Sequence, residues 1–150
     1  MRFGIFDHVD DSGLPPAQHF AARLKLVEAL DSLVFESYHV AEHHGTPLGL
    51  APSPNVYLSA VAQRTRRLRF GPMVYVAQLY HPLRLAEEIC MLDQMSGGRL
   101  LVGVGRGAAW QGRRGGFCFR YRTPYCRWGD GRRGAARCAR RVPQVAFVDV

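Results

Sequence analysis

The stretch LRFGPMVYVAQLYHPLRLAEEICMLDQMSGGRLLVGV, residues 68–104, changes its hydrophobic period twice. Leu68–Val76 is apolar, aromatic and β-branched, which predicts a strand. Pro82–Met95 predicts a helix. Its proline sits where a first helical turn needs no N–H, and Leu85, Ile89 and Leu92 share a face while Glu87, Glu88 and Asp93 point elsewhere. Ser96-Gly97-Gly98 stops that helix, and Leu100–Val104 is a second apolar strand. Two strands joined through a helix with short connectors run parallel.

The same grammar extends backwards. Arg2–Phe6 is a short buried strand, and Asp7 to Pro16 is a loop rich in Asp, Gly and Pro. Ala17–Leu30 is a helix with Phe20, Leu24, Val27 and Leu30 on its apolar face. Ser37–Ala41 is a strand that runs directly into Glu42-His43-His44. Gly45 to Pro54 is a loop, and Asn55–Arg64 is a helix with Val56, Ala60 and Gln63 one turn apart. The order β-α-β-α-β-α-β fits an α/β chain, either a doubly wound sheet or the N-terminal half of a (β/α)8 TIM barrel. In both, ligands sit where strands end and helices begin. Attention therefore falls on Asp7-His8, Glu42-His43-His44, Met73–Gln78 and Gly103–Gly107.

The net charge of +8 is not spread along the chain. Residues 1–107 hold ten Lys+Arg and ten Asp+Glu. Residues 108–150 hold ten Arg against Asp130 and Asp149, so the whole excess lies there. That segment has no Leu, Ile, Met, Lys, Glu, Asn or His, whereas residues 1–107 carry fifteen Leu. No apolar run approaches the ~18–20 residues of a membrane span. MRFGIFDHVDD turns acidic where a signal peptide would stay apolar, so a cytoplasmic protein with reduced thiols is expected. Cys118, Cys126 and Cys138 are too widely spaced for a CxxC pair and have no nearby His, so no metal is expected.

Two clusters carry chemistry. Adjacent imidazoles at His43 and His44 point to opposite sides if their strand continues, and imidazole donates or accepts protons near neutrality. Metal binding and a simple hydrogen-bonded loop pair compete with a proton-transfer role, although the i, i+4 zinc-protease spacing is absent. Gly103-Val104-Gly105-Arg106-Gly107 puts an arginine between glycines at a strand end, where its fork can grip phosphate oxygens. Gly103, Gly105 and Ala108 also fit a dinucleotide fingerprint with Asp130 about 20 residues on, which implies an NAD(P)-dependent dehydrogenase if a helix opens there.

Taken together, RFGIFDH, AEHHGTPLGLAPSP and RLRFGPMVYVAQLYHPLRLAEEICMLDQMSGGRLLVGVGRG resemble the bacterial luciferase-like monooxygenase family over residues 1–107. The resemblance implies a (β/α)8 barrel that binds reduced flavin, FMN or in some branches the deazaflavin F420. It implies oxidation of a small organic substrate with O2, and a partner reductase that supplies the reduced flavin. His43 and His44 match the family's histidine pair, the first of them tied to proton handling beside the flavin. Arg106 matches the arginine associated with the flavin phosphate. Met73 and Val74 occupy the third-strand position where a non-proline cis peptide often lies against the flavin ring. Gly105 replaces a cysteine carried by some luciferases, so no thiol chemistry is expected there.

A whole barrel needs about 250 residues. The expectation is therefore a half barrel over residues 1–107, inactive alone, with the first and fourth strands as open edges. Residues 108–150 are expected to be an irregular Arg/Gly-rich tail, disordered or read out of frame from GC-rich DNA. A barrel-like continuation in another reading frame would support the second origin, and its absence from both would exclude it. The alternative for the tail is nucleic-acid binding, since Phe117, Phe119 and Tyr121 alternate with Cys118, Arg120 and Arg122.

Overall fold

Short apolar segments alternate with amphipathic ones, and the chain folds accordingly. The computed structural model describes residues 2–45, 48–107 and 145–146. Its elements are β1 (Phe3–Asp7), α1 (Pro16–Ser32), β2 (Phe35–Val40), α2 (Pro54–Arg64), β3 (Arg69–Pro72), β4 (Tyr75–Val76), α3 (Pro82–Ser96), β5 (Val102–Gly105) and β6 (Val145–Ala146). One 3-10 turn, Ala77–Leu79, follows β4. Each α-helix starts on a proline, whose missing N–H would have had no helical partner. The end of α3 is set by Gly97, at φ 69°, with Gly98 N–H reaching back to the Asp93 carbonyl at 2.9 Å.

All strand pairs are parallel. β2 lies between β1 and β3, with Ile5, Tyr38 and Phe70 in one row and Phe6, His39 and Gly71 in the next. A second three-stranded sheet, in the order β4, β5, β6, adjoins it through the Phe70–Leu100 bridge. Successive rows face opposite sides. The first row packs under the helices against Val27, Leu30, Leu58, Val61, Ile89 and Leu92. On the second row Phe6 stays 47 % exposed.

Three sequence expectations change. The third strand is interrupted, β3 and β4 being separated at Met73–Val74, where the peptide bond is cis. The buried face of α2 is Tyr57, Leu58, Val61 and Ala62, whereas Val56 is 74 % exposed and Gln63 is exposed. Both stripes have helical spacing, and the larger, more apolar one wins the core. The fourth-strand edge is not left open, since β6 pairs Val102 with Val145 and Gly103 with Ala146. Asp130, the three cysteines beyond Cys90 and the Phe117–Arg122 alternation lie outside the described residues. Among the described residues no helix is long and apolar enough to cross a membrane.

Close approach of β3 to β5 requires glycine. A Cβ on Gly71 would overlap the Leu101 carbonyl, and one on Gly103 would come within 2.7 Å of the Pro72 carbonyl oxygen. The strand ends are thereby drawn together at one rim.

Candidate active site

β2 ends at Val40, and residues 41–44 leave the ladder. The expectation that His43 and His44 alternate along a continuing strand is therefore replaced by two separate pairs. His43 turns to the β1 end, its Nε2 lying 3.2 Å from His8 Nδ1. The two rings are nearly parallel, 18° apart, with centroids 5.4 Å from each other. His44 Nε2 lies 2.7 Å from Glu42 Oε1. The Glu42 side chain is fully buried, and its second oxygen accepts the Val76 N–H at 3.0 Å. One carboxylate thus fixes β4 and orients His44 together.

Met73 and Val74 are half-buried at the cis bond. Met73 N–H donates to the Val40 carbonyl at 2.8 Å, which ties that bond to the end of β2. Val74 packs towards β5, where a Cβ on Gly105 would come 2.5 Å from its Cγ2. Gly105 thus keeps room for Val74. Arg106 is exposed just past β5, and its carbonyl accepts the Gln78 side-chain amide. Val76 is buried, whereas Val74 remains partly accessible. His43, His44, Met73, Val74, Gly105 and Arg106 therefore all stand at the C-terminal ends of β2 to β5.

His8 is the residue that sequence reasoning noted only by position. It sits between two anchored neighbours. Asp7 is buried, and its Oδ1 accepts the Val9 N–H at 2.8 Å. The other Asp7 oxygen accepts the Tyr38 hydroxyl at 2.7 Å, and Arg23 completes an ion pair at 3.1 Å. Tyr57 lies 3.0 Å from the Tyr38 hydroxyl. Burial pushes the Tyr38 phenol far up and lifts that of Tyr57 to about 12, so both stay protonated. Val9 itself is fully buried at φ 54°, a left-handed conformation that a β-branched residue adopts at a cost of about 1–3 kcal/mol. Its carbonyl accepts the Leu50 N–H at 3.0 Å. A side-chain signal was present in the sequence, a His in the loop after the first strand. Its pairing with a residue 35 positions away was not.

Among the described residues no group of three His, Cys, Asp or Glu is placed to hold a metal ion. The rim offers instead a cation, a polar imidazole pair and a half-buried apolar ledge. That combination can accommodate a flat, largely apolar ligand that carries a negative charge.

The family model described as luciferase-like monooxygenase matches residues 1–127. An uncharacterised protein of Sinorhizobium fredii is 58 % identical over 108 residues, covering 72 % of this chain and 32 % of the relative. The 4-hydroxyprotoasukamycin monooxygenase of Streptomyces nodosus is 39 % identical over 109 residues, covering 72 % of this chain and 29 % of the relative. In structure, the chain is similar to the oxygenating constituent of 3,6-diketocamphane monooxygenase from Pseudomonas putida, a type II Baeyer–Villiger monooxygenase in complex with FMN. The TM-score is 0.70 at 30 % identity, covering 74 % of this chain and 31 % of that one. The chain spans about a third of the length of the curated relatives it matches. The parallel sheet and its helices are thus part of a (β/α)8 barrel rather than a doubly wound sheet.

Proposed function

The chain belongs to the luciferase-like monooxygenase family, and on that premise we propose that its rim holds reduced FMN for the oxidation of a small organic substrate by O2. The observation that carries this reading is the gathering of His43, Met73–Val74 and Arg106 at the ends of consecutive parallel strands. When bound, reduced FMN supplies the electrons that activate O2.

This chain's own residues do the rest. Arg106 grips the phosphate through its guanidinium fork. Met73 and Val74 form the apolar ledge for the ring, and Gly105 lets Val74 sit close to β5. His43 holds or delivers a proton at the ring edge, and His44, pinned by Glu42, shapes the wall beside it. The partner this chemistry calls for is a cytoplasmic reductase that delivers reduced flavin.

Titration of the full chain with FMN, followed by flavin fluorescence, tests the reading. F420 and single-stranded DNA serve as competing ligands. Saturable FMN binding with little salt dependence is expected, weakened about tenfold or more in Arg106→Ala because a charged hydrogen-bonding partner is lost. Unchanged affinity in that variant overturns the role of Arg106. A steep salt slope with DNA and no flavin binding would favour the nucleic-acid alternative.

A further inference from the structure

We propose that His8 and His43 act as one two-imidazole proton relay, with His8 carrying protons to and from the outer nitrogen of His43. The inference deepens the flavin reading, on which the role of His43 rests. Three features support it. His8 Nδ1 and His43 Nε2 are 3.2 Å apart, and their rings are nearly parallel. The backbone on either side of His8 is pinned by the Asp7–Val9 hydrogen bond and by the left-handed Val9, a strained geometry kept where position matters. Gly49 closes over both residues, since a Cβ there would come 3.0 Å from the His8 carbonyl oxygen and 3.3 Å from His43 Cδ2.

The geometry dictates how protons are arranged. A neutral imidazole carries one N–H, and one facing nitrogen must donate while the other accepts. If His43 Nε2 donates, His43 Nδ1 is bare and His8 carries its proton on Nε2. If His8 Nδ1 donates, His8 Nε2 is bare and His43 carries its proton on Nδ1. Both neutral rings are therefore the same tautomer, and they switch together. A proton taken up at one outer nitrogen lets the shared proton cross the 3.2 Å gap, and another leaves from the far outer nitrogen. No electron changes hands, and the pair ends in its alternative neutral state. His8 is exposed and His43 is half-buried, so the relay runs from solvent towards the rim.

The test is nitrogen NMR of the full chain labelled with 15N-histidine, at about pH 8.5 where ordinary imidazole is neutral. Long-range proton–nitrogen spectra should show His8 and His43 as matched tautomers, both Nε2–H or both Nδ1–H, or exchanging between these as one. His8→Ala should shift the His43 tautomer balance, and added imidazole should restore it. His8→Asn, which keeps an amide near the place of Nδ1, should hold the His43 ring without restoring the paired switch. Unshifted Val9 and Leu50 amides mark an intact turn, and His8→Asn replaces the alanine variant if they move. Mixed tautomers, or a His43 indifferent to loss of His8, overturn the relay. FMN titration of the same samples separates the two readings. Failure of flavin binding with matched tautomers removes the flavin assignment alone, and flavin binding with mismatched tautomers removes the relay alone.

Discussion

Glu42 and His44, two residues apart, are joined side chain to side chain at 2.7 Å, and the same carboxylate takes the Val76 N–H from across the sheet. A single buried acid therefore holds the strand after the cis bond and the second histidine of the pair in one frame. Glu42→Ala leaves that N–H without its acceptor and should destabilise the fold by about 1–3 kcal/mol. Glu42→Gln keeps an acceptor and should cost less. Urea denaturation of the two variants measures the difference, and equal stability would remove Glu42 from its bracing role.

Arg99 is the corresponding brace at the opposite end of the sheet. Its guanidinium donates to the carbonyls of Ser96, Leu68, Ala62 and Thr65 and to Thr65 Oγ1, at 2.7 to 3.2 Å, and lies 5.2 Å from the Phe70 ring centroid. It satisfies carbonyls at the ends of both α2 and α3, groups that helices leave unpaired. Arg99→Ala should lower stability by about 3 kcal/mol. Arg99→Lys should recover only part, because an ammonium cannot reproduce the planar fork. Chemical denaturation of both variants is the check.

Gly105 and Val74 should behave as a coupled pair. Gly105→Ala drives a methyl to 2.5 Å from Val74 Cγ2 and is expected to cost about 1–3 kcal/mol and weaken FMN binding. Val74→Ala removes the obstructing methyl groups. The double variant should therefore be more stable than the two single losses predict, by about 1 kcal/mol. A double-mutant cycle with additive losses would show that the two do not meet.

His39 makes stability depend on mild acid. Burial, and then the charge of Arg69, hold its imidazole below the ordinary value of 6.5, and its Nδ1 has no partner among the described residues. The unfolded chain therefore takes up a proton before the folded chain does. Stability from this residue is complete above about pH 6.5 and declines as pH falls towards the folded-state value. Urea midpoints at pH 7.5, 6.5 and 5.5 should fall in that order, and His39→Phe should flatten the decline. Asp31 titrates in a lower window. Burial opposes its ionisation, but the backbone N–H groups of Leu68, Arg66 and Arg67, with Arg99, outweigh that and lower its pKa, so its contribution is lost only in stronger acid.

Local chemistry explains how much was legible in the amino-acid order. Pro82 and Gly97 bound α3 through φ restrictions that act within a turn, and Leu85, Ile89 and Leu92 mark its inner face by period alone. The alternation of strands and helices, the parallel sheet and the rim positions of His43, Met73, Val74 and Arg106 follow from such short-range rules. The inner face of α2 did not, because Val56 and Tyr57 begin two competing stripes and only contact with Phe20 and Tyr38 ranks them.

By itself, then, the sequence determined the order of elements and the end of the sheet at which the candidate residues collect. Only the tertiary structure decided which side chains meet there. His8 faces His43 across 35 residues, and Glu42 faces Val76 across 34. Such pairings depend on strand register and on the left-handed turn at Val9, and these are settled by packing of the whole sheet against its helices. Periodicity records which face of an element is buried, but carries no information about the distance between two loops.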